Sequence, residues 1–89
     1  MKEVFIVSCY NVYDIDYNHN RFVIGVGSTY EEAVNIIKDD IKNVACSYFG
    51  CRYEIEEWEL DSIFKSGWTQ AFSKEQNIEW AKELGVYNE

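Results

Sequence analysis

Eighty-nine residues with a formal net charge of −8 make one domain, residues 1–89, and argue against binding DNA or RNA through phosphates, which needs clustered bases. The eight bases, Lys2, Arg21, Lys38, Lys42, Arg52, Lys65, Lys74 and Lys82, are scattered. Seven Tyr, five Phe and three Trp supply area for a real core and argue against a disordered chain, although a domain this short buries only about 60–65% of its unfolded surface.

Val4-Phe5-Ile6-Val7 opens a strand that continues to about Tyr13, apolar enough for a central position covered on both faces. Asn18-His19-Asn20 is a turn signal, because Asn tolerates positive φ. Arg21 to Val26 is the second strand, and the two make an antiparallel hairpin. Ser28 with Glu31, and Thr29 with Glu32, are each spaced as a capping box. Ala33, Val34, Ile37, Ile41, Val44, Ala45 and Tyr48 then recur at helical spacing, which predicts one continuous helix from about Thr29 to Phe49, stopped by Gly50. Cys51 to Leu60 is the third strand; its apolar phase slips between Ile55 and Trp58, which predicts a bulge at Glu56-Glu57. Asp61 to Phe72 reads as loop or strand, since Ser66-Gly67 interrupts the apolar residues Ile63, Phe64, Trp68 and Phe72. Ser73 and Gln76 form a further capping box, and a short helix runs to about Leu84 before Gly85, with Ile78, Ala81 and Leu84 facing inward. This order predicts an α+β domain of two layers: an antiparallel sheet of three to four strands, one long helix packed on it, and a short C-terminal helix.

The third strand carries the densest chemical signal. Glu54, Glu56, Glu57, Glu59 and Asp61 put five carboxylates within eight residues, interleaved with Tyr53, Ile55, Trp58 and Leu60. That alternation predicts one buried face and one strongly acidic face. The bland reading is a solvated strand that keeps the chain soluble; but like charges side by side cost stability, so an acidic surface for a basic protein partner is the functional reading. Asp39 and Asp40 are candidates for a second acidic patch, and Tyr13, Tyr17 and Trp58 for aromatic anchors, since such side chains give contact area at low entropy cost.

Other chemistries find little support. Asp14, Asp16 and Asn18 resemble the start of a calcium loop, but its glycine position holds His19 and its closing glutamate position holds Gly25. No metal or cofactor is expected. His19, the single histidine, has no nucleophile in a local signature, and the chain leaves little room for a substrate cleft between paired carboxylates, so an enzyme ranks lowest. Cys9, Cys46 and Cys51 lack metal spacing; Cys9 and Cys46 read as buried thiols, which suits a reducing compartment. With neither a leader pattern nor an apolar run of about 18 residues, a cytoplasmic location and no membrane partner are expected.

The apolar opening strand, then Tyr10-Asn11-Val12-Tyr13-Asp14, Phe22-Val23-Ile24-Gly25-Val26 and Ser28-Thr29-Tyr30-Glu31-Glu32-Ala33 together resemble small proteins of phages and mobile elements in low-GC bacteria. The resemblance covers about the first half of the chain and carries no catalytic residues. It implies a setting in which small acidic proteins block host defence enzymes, among them anti-CRISPR proteins that occupy nucleic-acid channels. The expectation is therefore a phage-type inhibitor, active in the cytoplasm of the bacterial host, whose acids occupy a basic surface of a host protein. The alternative is a small dimer-forming accessory protein whose charge serves solubility only.

Overall fold

A computed structural model describes residues 3–11, 22–43, 50–59 and 66–87. It contains strands β1 (Glu3–Asn11), β2 (Phe22–Gly27), β3 (Cys51–Glu59) and β4 (Ser66–Ala71), with helices α1 (Tyr30–Asn43) and α2 (Lys74–Glu83). The four strands form one antiparallel sheet in the order β2-β1-β3-β4. Both helices pack on the same face, which makes the expected α+β, two-layer domain.

Strand alternation builds the core. Phe5, Val7 and Cys9 point to the helix side, and the register sets Val7 opposite Ile55 and Cys9 opposite Tyr53. Ala33, Ile37 and Ile41, each four residues after the last, lay one apolar stripe of α1 across them. Burying Ile37 or Ile41 stabilises the fold by about 1.5–3 kcal/mol each. Phe72, between β4 and α2, and Trp80 and Ala81 of α2 complete the core, the two aromatic rings meeting at 5.1 Å.

Helix α1 starts where its cap permits. The Thr29 hydroxyl accepts from the Glu32 amide at 3.1 Å, and the Glu32 carboxylate accepts from the Thr29 amide at 3.2 Å. This reciprocal pair is the Thr29 box, not the Ser28 one. The helix runs unbroken through Asp39-Asp40; the turns expected from Val44 to Phe49 lie outside the described residues. On the sheet it meets two glycines. A Cβ on Gly25 would stand 2.9 Å from Ile36 Cγ2, and one on Gly27 would stand 3.0 Å from the Ala33 nitrogen. Two bare positions in β2 thus let α1 settle onto the strand.

Ser73 caps α2 by accepting from the Gln76 amide, and Gly85, at φ 74°, ends it. Ala81 faces inward as expected, but Asn77 and Trp80 are buried instead of Ile78, which is half-buried. The Asn77 amide nitrogen donates to the Cys51 carbonyl at 2.9 Å, and Lys38 meets Glu83 at 3.3 Å, so α2 is tied to both β3 and α1.

One open reading is resolved and one expectation is corrected. The segment that read as loop or strand supplies β4, including Ser66-Gly67. Beta3 has no bulge: its pairing with β1 is continuous from Glu3–Glu59 to Asn11–Cys51. The slip lies on the other side, where Glu57 faces Trp68 but Trp58 faces Ser66, leaving Gly67 as the extra residue. Beta1 is central as expected: the helices cover one of its faces, and on the other Ser8 is buried, 4% exposed.

Candidate partner-binding surface

An unbroken β3 divides its acids between two faces. Tyr53 and Ile55 point toward the helices, so Glu57 and Glu59 follow on that side; Arg52, Glu54, Glu56 and Trp58 point to the other. The single acidic face expected from the sequence is therefore not formed. The strand keeps its phase between Ile55 and Trp58: Glu57 and Glu59, both half-buried, hold helix-side positions in line with Tyr53 and Ile55.

On the face away from the helices, Glu54 is buried, 7% exposed, and presents little to a partner. Glu56 and Trp58 act together: the Trp58 indole nitrogen donates to Glu56 Oε2 at 3.0 Å, both side chains being half-buried. Trp58 lies opposite Val4.

On the helix side, the acids gather at one end of the molecule. Glu59 is directly opposite Glu3, and Glu57 opposite Phe5. Tyr30, the first residue of α1, meets Phe5 edge-on at 6.4 Å and donates its hydroxyl to Gln70 Oε1 at 3.0 Å, which fixes the helix start at this level of the sheet. Glu31 and Glu32 stand in the first turn of α1, near the same end, where the helix dipole favours negative charge. Glu32 is held below the ordinary glutamate range, first by the Ser28 hydroxyl and then by the Ser28 and Thr29 amides that donate to it. Among the described residues, no three carboxylates converge closely enough to hold a metal ion. This end offers spread negative charge, suited to a spread set of cations.

Asp39 and Asp40 lie elsewhere, in the second half of α1. Asp40 accepts a hydrogen bond from the Tyr53 hydroxyl and so anchors helix to sheet. Asp39 is exposed and lines two adjoining hollows between α1 and β2. One, of about 350 Å³, is bounded by Ile24, Ile36, Asp40 and Asn43; the other, of about 320 Å³, by Val26, Gly27, Glu32, Asn35 and Ile36. Tyr13, Tyr17 and Asp61 lie outside the described residues, as does the Asp14–Asn18 loop.

Sequence reasoning left Glu3, Glu31 and Glu32 out of the acidic surface. The helix acids carried a legible signal, since acids in a capped first turn stand at a chain reversal. Glu3 carried none, because only the β1–β3 register sets it beside Glu59.

Compared with known proteins, this chain matches no family model, no curated sequence and no solved structure.

Proposed function

We propose that this chain is a small acidic protein-binding module that engages a basic surface of a partner protein through the carboxylate-rich end of its sheet. The observation that carries the reading is the cross-strand pair Glu3–Glu59, with Glu57 next to it on the same face. Like charges directly opposite in a sheet destabilise it, and a basic partner relieves that cost. Glu31 and Glu32 extend the same field, and the chain's net charge of −8 steers cationic partners toward it. Glu56 and Trp58, hydrogen-bonded on the opposite face, give a mixed acidic and aromatic rim.

In its most specific form the partner surface is one that holds nucleic acid in a host defence protein, the acids standing where phosphates would. The chain then acts as a phage-type inhibitor without catalysis. Net charge and the resemblance of the first half of the chain support that form.

The test begins with capture from bacterial host lysate at low and high salt, followed by association kinetics with the partner obtained. Glu57→Gln with Glu59→Gln should slow association and flatten its salt dependence. Glu75→Gln with Glu79→Gln removes equal formal charge from exposed positions on α2 and should do clearly less. Equal effects would reduce the role of the sheet end to net charge, and no effect in either would refute the reading.

A further inference from the structure

Among the described residues, the exposed large apolar side chains are concentrated on one strand. Phe22, Val23 and Val26 are 58%, 59% and 58% exposed, and all three belong to β2. Beta2 is an edge strand; among the described residues it pairs only with β1. It contains no charged residue and no proline, two devices that commonly blunt a sheet edge.

These three side chains do not share a face. The register sets Val23 opposite Ser8 and Val26 opposite Ile6, away from the helices, whereas Phe22 lies opposite Cys9 on the helix side. A flat surface laid on either face of the sheet reaches two of them at most. A strand laid along the β2 edge has neighbours on both faces and reaches all three.

We propose that the occupant is β2 of a second copy, paired antiparallel about a two-fold axis so that the two four-stranded sheets continue into one another. Charge selects this occupant. A chain of net charge −8 can meet itself only where few acids are apposed, and β2 has none. Helix α1 lies on β2 and runs opposite to it, since Gly27 sits under Glu32 and Ala33 while Gly25 sits under Ile36. A two-fold axis at β2 therefore runs α1 past its mate in reverse. The acidic first turn of one helix, with Glu31 and Glu32, approaches the last turn of the other, with Lys42. Asp39 beside the strand keeps some repulsion, so added salt should tighten this contact, the opposite of its effect on binding to a basic partner.

Size sets the strength. The strand has six residues, and an irregularity at Ile24 divides its ladder. Such a contact falls in the class below about 1,200 Å² of total buried area, so the dimer is weak and depends on concentration.

Sedimentation equilibrium from about 10 µM to about 1 mM covers the range expected for a contact of that class. The mass should rise from 10.5 kDa toward twice that value, at lower concentration when salt is raised. Phe22→Ser and Val26→Lys, one on each face, should each raise the midpoint about tenfold or more, a loss of at least about 1.4 kcal/mol. Thr69→Lys, on the opposite edge strand, adds the same charge as Val26→Lys and should leave association unchanged. Melting curves report whether each variant folds. If one does not, amide exchange of the unaltered chain decides: slowing confined to Phe22–Gly27 as concentration rises supports the pairing, and slowing elsewhere overturns it. A constant mass of 10.5 kDa, or a dimer sensitive on one face only, also overturns it. Pairing through β2 needs neither the acidic surface nor a partner protein.

Discussion

At the scale of single residues, the approach of helix to sheet depends on what is missing from β2. Both Gly25 and Gly27 lie under α1, but they face different obstacles. The neighbour of Gly25 is the Ile36 side chain, which can turn; the neighbours of Gly27 are the Ala33 nitrogen and the Glu32 Cβ, which move only with the helix. Gly27→Ala should therefore cost about 1–3 kcal/mol, the usual range for overpacking, and more than Gly25→Ala. Denaturant titration of the two variants checks the order, and the reverse order would show that α1 is free to lift. Glu32 offers a second test. Its carboxyl is depressed by donors from Ser28 and Thr29, so its contribution is complete above the ordinary glutamate value of 4.5 and is lost as pH falls through its lower folded value. Glu32→Gln should melt below the unaltered chain at neutral pH, and the gap should close as pH falls below that ordinary value. A gap independent of pH would mean that Glu32 acts through its shape and not its charge.

At the scale of elements, α1 is the part most fully written in the sequence. Its cap, its acidic first turn and its four-residue stripe are local patterns, and the described part, Tyr30–Asn43, follows them. Ile37 and Ile41 stand mid-stripe and are 0% and 1% exposed. Truncating either to Ala should cost about 2–5 kcal/mol, a large share of the roughly 5–10 kcal/mol available to a small domain, and lower the melting temperature visibly. Melting like that of the unaltered chain would place the stripe in solvent. The strands were legible as runs but not as faces. A strand with Tyr53 and Ile55 buried and the half-buried acids Glu57 and Glu59 on the same side shows the same change of phase, read along the chain, as a bulged strand. The pairing of β3 with β1 decides between them, and that register joins residues far apart in the chain. Beta4 was harder to read because Gly67, the extra residue of its slip, interrupts the alternation that marks a strand.

At the scale of the whole molecule, sixteen acids against eight bases mean that folding gathers like charge. Lys38–Glu83 is an ion pair between helices on a partly exposed surface and offsets little of it. Raising sodium chloride from about 0.01 to about 0.1 M shortens the screening length from roughly 30 to 10 Å and should raise the melting temperature by a few degrees. A fall would show that local pairs outweigh the summed repulsion. The two surfaces of interest respond to salt in opposite ways: the acidic end loses affinity for a basic partner, and the β2 edge gains affinity for its mate.

What the sequence determined by itself was local. Capping boxes, helical stripes and apolar runs depend on neighbours within a few positions, so the helices, the first three strands and the two-layer class could be read from the chain. What only the tertiary structure decided was lateral: the place of β1 between β2 and β3, the pairing of Glu3 with Glu59, the burial of Glu54 and Asn77, and the exposure of Phe22, Val23 and Val26 on an edge. Register and strand order come from contacts between residues far apart in the chain. A side chain's period shows that it has two faces to choose from, and only the elements packed against it show which face meets water.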